Sequence, residues 1–345
     1  MITITNTFRK LIAVLMTAAL LFCLAGCGPK EEQEYSKEIF AMDTYMSLKA
    51  YGDGGEKAVN EAVKEINRLD KLLSTGKETS EVGTINKTGE GVLSADGIAL
   101  MTSSLELNKL TDGAFDISIY PVMKLWGFTN QKYKVPDDES LKAALSLVDA
   151  SKINFDSETG KVSFDIPQMA IDFGAIAKGY TSSRVADIFR KHGVKWGLIN
   201  LGGNVQTVGT RPDGNDWNIA IRDPDDEDAL AGVISSHDKA IITSGGYERF
   251  FEENGKKYHH IIDPETGYPA DGGLLSVTVV ADDGTLADGL STSLFVMGKS
   301  GAISFWKEHK QEFQCVLVGD DGTIYVSDGL KDSFKPEGER DVSYF

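Results

Sequence analysis

Residues 287–292 read Ala-Asp-Gly-Leu-Ser-Thr. They set the Asp288 carboxylate and the Ser291 and Thr292 hydroxyls just ahead of an apolar run over 294–297. Asp288 and Thr292 are four apart, so on a helix they share a face. The group fits a helix cap or a set of oxygen ligands for a metal ion. Residues 171–180, IDFGAIAKGY, break an apolar run with Asp172 and bring Lys178 to the start of a helix. Gly174 and Gly179 permit close backbone approach, and free N–H groups at a helix start suit an anion. The spacing is neither that of a P-loop nor G-x-G-x-x-G, and a strand-to-helix turn capped by Asp172 is the simpler alternative. Residues 258–269, YHHIIDPETGYP, carry adjacent histidines. On a strand His259 and His260 point to opposite faces, so one can serve a pocket. Their spacing fits no zinc site. A neutral imidazole can accept a proton near pH 7, and a histidine before a turn is as readily a partly exposed polar residue.

Three further stretches place glycines or polar groups where a core should close: TDGAFDISIYPVMKLWGF (111–128), LGGNVQTVG (201–209) and TSGGYERFF (243–251). Glycines after strands let a ligand lie against backbone, or mark bulges and turns. Ser244 lacks a nucleophile-elbow pattern, which argues against a serine hydrolase.

The elements that must carry these residues follow from periodicity. Residues 39–52 read as a first strand. Over 55–74, Ala58, Val59, Ala62, Val63, Ile66, Leu69 and Leu72 recur at helical spacing. A looser segment spans 74–89. A second helix spans 94–113, with Ser94 as its cap and Gly113 past its end. Residues 152–166 form a hairpin turning at Gly160, and 175–193 a third helix stopped by Gly193. Strands lie within 196–210, 217–224, 232–245 and 274–284, then helices over 286–298 and 301–309, and a closing hairpin over 313–329. Strands joined by short turns favour antiparallel sheets with packed helices, a single α+β domain.

The N-terminus supplies an address. Arg9 and Lys10 precede an apolar run over 11–24, too short for a spanning helix and suited to a secretory signal. It ends in LAGC, which resembles the lipobox of bacterial lipoproteins and makes Cys27 the lipidated first residue of the mature chain. The organisation expected is a signal peptide over 1–26, a polar tether over 27–37 and the domain over 38–345. The formal net charge of −17 argues against nucleic acid as a partner. With Cys23 in the signal and Cys27 lipidated, Cys315 is left alone, which excludes an intrachain disulfide and a cysteine metal cluster.

Taken in order, AMDTYM, TDGAFDISIYPVMKLWGF, IDFGAIAKGY, NLGGNVQTVG, TSGGYERFF, YHHIIDPETGYP and ADGLST resemble the ApbE-type FAD:protein FMN transferases across nearly the whole mature chain. The resemblance implies magnesium-dependent transfer of the FMN part of FAD to a Thr or Ser hydroxyl of an acceptor flavoprotein, releasing AMP. It implies a metal held by Asp288, Thr292 and the Ala175 carbonyl, with Ser291 a weak or absent ligand. It places Met42, Ala114, Phe115, Asp116, Asp172, Lys178 and Ile262 around the nucleotide. His260 becomes the candidate base and His259 its structural neighbour. One departure is Gly76, where many relatives carry an aromatic that packs on the flavin nucleotide. The acceptor is expected outside the cytoplasm, with this chain anchored to the membrane through Cys27. Two alternatives stay open: an FAD pyrophosphatase that uses water as acceptor, and a solute-binding lipoprotein, which requires two lobes joined by hinge crossovers.

If Cys27 carries the lipid, Cys27→Ser releases the protein from the membrane fraction or leaves an uncleaved precursor. Fractionation and immunoblotting decide this, and normal processing with full membrane retention contradicts it.

Overall fold

The computed structural model describes residues 32–345; the expected signal peptide, Cys27 and the start of the tether lie outside them. The chain opens with a hairpin where one strand was expected. Strand β1 (Glu34–Ala41) begins inside the stretch read as tether and pairs with β2 (Thr44–Tyr51). Met42 and Asp43 form the two-residue turn with φ of 48° and 58°. Two positive φ values define the type I′ turn that matches strand twist, but Met-Asp carries none of the Asn-Gly signature that announces one.

Helix α1 (Gly55–Leu73) buries Ala58, Val59, Ala62, Ile66 and Leu69, as its periodicity requires. The segment read as loose contains α2 (Glu81–Thr88). Its cap is Ser80, whose Oγ accepts the Gly83 N–H at 2.8 Å. After β3 (Glu90–Val92), α3 (Ala95–Leu110) starts at the expected cap, with Ser94 Oγ accepting from Gly97 at 3.3 Å. Helices α4 (Tyr120–Trp126) and α5 (Asp138–Leu145) follow. Strands β4 (Ile153–Phe155) and β5 (Lys161–Phe164) form the expected hairpin, and α6 (Ala177–Lys191) stops before Gly193 at φ 74°.

Strands β6 (Trp196–Leu201) and β7 (Asn204–Val208) turn at Gly202-Gly203, both at positive φ. Then come β8 (Trp217–Arg222), β9 (Leu230–Ser236), β10 (Ala240–Gly245), β11 (Phe250–Glu253), β12 (Lys256–His259) and β13 (Leu274–Ala281). Helix α7 (Gly284–His309) is interrupted at Gly298 (φ 69°, ψ 176°), in agreement with the two helices expected there. The chain closes with β14 (Phe313–Gly319), β15 (Thr323–Val326), β16 (Phe334–Pro336) and β17 (Asp341–Tyr344).

Nine strands form one sheet in the order β1-β2-β6-β7-β10-β13-β14-β15-β17, antiparallel except for β15–β17. On one face α1 and α6 pack over β2 and β6, and α7 packs over β10, β13 and β14 with α3 against it. On the other lies the small sheet β16-β9-β8, sealed by Trp217, Ile219 and Ile234 against Ile241, Val316 and Val318. The architecture is the expected α+β with largely antiparallel sheets. A sheet continuous from β1 to β17 does not divide into the two hinged lobes that the solute-binding alternative requires.

Helices α6 and α7 cross at two glycines. A Cβ on Gly179 would stand 2.0 Å from the Gly284 carbonyl oxygen, and one on Gly284 would stand 2.6 Å from the Gly179 carbonyl oxygen. The Gly284 N–H also donates to Ser183 Oγ at 3.0 Å. Because the clashing atoms are backbone, the helices must part to admit a methyl group. Gly179→Ala is therefore expected to cost about 1–3 kcal/mol of unfolding free energy. Gly76→Ala, at an exposed position with only Ser74 Oγ near, at 3.8 Å, stays within about 0.5 kcal/mol of wild type. Urea denaturation followed by circular dichroism measures both.

Candidate active site

The crossing stands at the edge of a cavity of about 440 Å³. Every site residue expected within the described part of the chain lines it. Met42 comes from the β1–β2 turn; Ala114, Phe115 and Asp116 from the loop after α3; Asp172, Ala175 and Lys178 from the entry to α6. His260 and Ile262 come from the segment after β12, and Asp288 and Thr292 from α7. Cys27 lies outside the described residues, and Gly76 is exposed and not part of the wall.

The two carboxylates that matter here are held differently. Asp172 Oδ1 accepts the Gly174 N–H at 2.8 Å, two residues on, so it shapes its own loop rather than capping α6. The N-terminus of α6 has no side-chain cap of its own. Its Gly179 N–H instead donates to Asp288 Oδ2 at 2.8 Å, across the helix crossing. The anion expected at this helix start is therefore the protein's own Asp288, which also gains from the positive end of the helix dipole. Burial pushes the carboxyls of Asp288 and Asp172 up. Lys178 opposes the shift at Asp288, together with the Gly179 N–H and the nearby Asn204 amide, which does not reach hydrogen-bonding geometry, and Arg249 and Lys178 oppose it at Asp172. Among the described residues, neither Lys178 nor Arg249 forms an ion pair within bonding distance, so both cations face the cavity unneutralised.

Asp116 is spent on structure. Its Oδ1 accepts from Ser118 N at 2.7 Å and Ser118 Oγ at 2.6 Å, and its Oδ2 from Ala150 N at 3.2 Å. It fixes the 111–119 loop, which in turn holds Asp172 through its N–H to the Ile117 carbonyl at 2.9 Å. Ser291 is likewise committed: its Oγ bonds to the Asp288 carbonyl at 2.8 Å and to Ser244 Oγ at 2.7 Å. Ser244 Oγ lies 3.3 Å from Thr292 Oγ1. Ser291 Oγ thus ties the Asp288 backbone to Ser244.

The adjacent histidines part as a strand requires. His259 turns away from the cavity, with its Nε2 donating to the Ala270 carbonyl at 3.1 Å and its Nδ1 accepting the Ile261 N–H at 3.3 Å. Both ring nitrogens are used. His260 faces the cavity. Its Nδ1 bonds the Arg249 carbonyl at 3.2 Å, and a carbonyl only accepts, so Nδ1 carries the proton and Nε2 keeps the lone pair. Burial, aided by the Arg249 charge, holds the imidazole well below its ordinary pKa. The Phe128 ring, edge-on at 6.4 Å, forms part of that apolar surround. His260 is neutral at pH 7.

Sequence reading missed four groups in the wall. Arg249 sits in a stretch noted only for its glycines, and Asn204 follows two glycines that drew the attention. Phe40 and Tyr45 face each other across the β1–β2 hairpin with ring centroids 5.2 Å apart, and stay 61% and 82% exposed at the cavity edge. A large exposed aromatic pair is a signal, but it becomes visible only once the hairpin is known.

Among the described residues, no three His, Cys, Asp or Glu side chains group as a metal site. One carboxylate, one hydroxyl and one carbonyl are nevertheless the hard oxygen donors that suit magnesium, which draws further ligands from water and substrate phosphate. Asp288, Thr292 and Ala175 fit that chemistry.

Two unneutralised cations, two desolvated carboxylates and hard oxygen donors thus share one cavity of an α+β domain. The chain belongs to the ApbE family, whose sequence profile matches residues 42–317. It is 32% identical to an FAD:protein FMN transferase of Haemophilus influenzae, over 92% of this chain and 96% of that protein. It is 33% identical to one of Klebsiella pneumoniae, over 89% and 96%. The fold superposes on an ApbE protein of Thermotoga maritima with a TM-score of 0.82 at 30% identity, covering 87% of this chain and 98% of that one. It superposes on the flavin transferase ApbE of Vibrio cholerae with a TM-score of 0.76 at 27% identity, covering 89% and 97%.

A carboxyl whose folded pKa is raised loses stability as pH climbs from the ordinary carboxylate value through the raised one. Asp288→Asn removes that loss. Without added metal, the variant should melt above wild type at pH 7, and the gain should shrink toward pH 4. Calorimetry at several pH values checks this; a variant that melts lower at pH 7 contradicts it.

Proposed function

We propose that this chain transfers the FMN part of FAD to a Thr or Ser hydroxyl of an acceptor flavoprotein and releases AMP. The observation that carries the reading is the single cavity in which Lys178, Arg249, Asp172, Asp288, Thr292 and His260 meet, in a chain of this family. A pyrophosphate brings concentrated negative charge, and Lys178 and Arg249 are the groups free to meet it. Asp288, Thr292 and the Ala175 carbonyl would hold magnesium, which when bound neutralises the pyrophosphate.

The residues of the chain divide the remaining work. His260 Nε2 takes the proton of the acceptor hydroxyl. The oxygen attacks the phosphorus on the FMN side, the P–O bond to AMP breaks, and AMP leaves with the electron pair. One phosphodiester replaces one pyrophosphate bond. Gly179, Ser291 and Ser244 keep Asp288 and Thr292 in place. Lipidation at Cys27 would hold the enzyme on the outer side of the cell membrane, where it meets its acceptor.

Incubation with FAD, magnesium and a candidate flavoprotein should give a fluorescent acceptor band in a denaturing gel, abolished by EDTA and restored by magnesium. Free FMN without labelled acceptor would instead indicate FAD hydrolysis, and the absence of both products contradicts the reading. General-base catalysis is worth about 10²–10⁴-fold. His260→Ala should slow single-turnover transfer by that order with FAD binding nearly intact, whereas His259→Ala should not. Because His260 titrates below the usual value of about 6.5, the wild-type rate should hold through pH 6.5 and fall only in more acid buffer. A limb centred at or above pH 6.5, or a near-normal rate for His260→Ala, removes His260 as the base.

A further inference from the structure

Asn204 opens β7 directly after the Gly202-Gly203 turn and borders the cavity with Asp288 and Lys178. It is 1% exposed, yet among the described residues neither its Oδ1 nor its Nδ2 has a partner in hydrogen-bonding geometry; the Asp288 carboxylate is near enough to feel the amide but does not bond it. The neighbours across the ladder offer none: Asn204 pairs with Ile242, and Gln206, next on the same face, with Ala240. A primary amide buried without partners is costly, and an apolar side chain of the same shape would not be. The fold thus keeps an expensive group at the one place on this strand that meets the cavity. An amide offers both a donor and an acceptor. The pyrophosphate oxygens can accept from its Nδ2, and water on a hydrated cation can donate to its Oδ1.

Building on the proposed function, we infer that Asn204 is a substrate-positioning residue whose amide, left unpaired by the protein, is satisfied by the pyrophosphate of FAD and its hydrated cation beside Asp288. The role differs from packing in a measurable way. A packing residue stabilises the protein without ligand. A residue completed by ligand costs stability without it and returns the cost on binding.

The test uses Asn204→Leu, close in shape and without polar atoms, with Asn204→Ala as a second variant should leucine prevent folding. Melting by circular dichroism is measured without ligand, and FAD affinity by calorimetry in magnesium chloride. The expected result is a ligand-free variant that melts no lower than wild type and binds FAD at least about tenfold more weakly. Gln206→Leu, outside the cavity wall, should leave FAD affinity unchanged. A ligand-free variant that melts lower, or one that binds FAD as wild type does, overturns the inference. Wild type that fails to bind FAD with magnesium overturns the proposed function itself, and the two failures are thereby distinct.

Discussion

The cavity depends on how closely α6 and α7 approach at Gly179 and Gly284. With no side chain on either residue, the backbone of one helix reaches the other, and the Gly179 N–H meets the carboxylate of Asp288. That contact orients the carboxylate, supplies it with a helix N-terminus and leaves Thr292 one turn further along the same face. Lys178 rides on the residue before Gly179, so the cation and the carboxylate come from the two sides of a single crossing. Any larger residue at either glycine would separate them.

What the crossing assembles is a site under tension. Asp172 and Asp288 are desolvated, Lys178 and Arg249 are near enough to moderate them but do not pair with them, and Asn204 is unbonded. The Met42 backbone is in the left-handed region, uncommon for a residue with a side chain, although its N–H is tied to Asp70 Oδ1 at 2.9 Å. Each of these features costs stability, and they share one cavity wall. The long sheet, the helices over it and the small sheet beneath supply the burial that tolerates them. A ligand bringing negative charge and a cation together would relieve several at once.

Much of the frame was legible because it obeys local rules. The apolar stripe of α1, the Ser94 cap and the Gly193 stop stand where periodicity and capping put them. The failures have physical causes. Met42-Asp43 makes a type I′ turn without the residues that favour one, so two strands looked like one. The run over 232–245 divides at Asp238, at φ 49°, between two sheets that pack face to face, and only long-range pairing decides that. At the site, individual residues gave weak signals. Asp172 resembled a helix cap because the true partner of that helix start, Asp288, lies over a hundred residues away. Recognition of ordered motifs picked out residues that line one cavity. It did not find Arg249 or Asn204, whose significance comes from what surrounds them in three dimensions.

The central claim is that the metal and the pyrophosphate meet at the crossing of α6 and α7. Crystals grown with FAD and manganese in place of magnesium, measured at the manganese absorption edge, test it directly. The account predicts an anomalous peak within bonding distance of the Asp288 carboxylate, Thr292 Oγ1 and the Ala175 carbonyl, with pyrophosphate density against it and Lys178 alongside. FAD bound in the cavity with the manganese peak elsewhere, or with its pyrophosphate remote from Asp288, would contradict it.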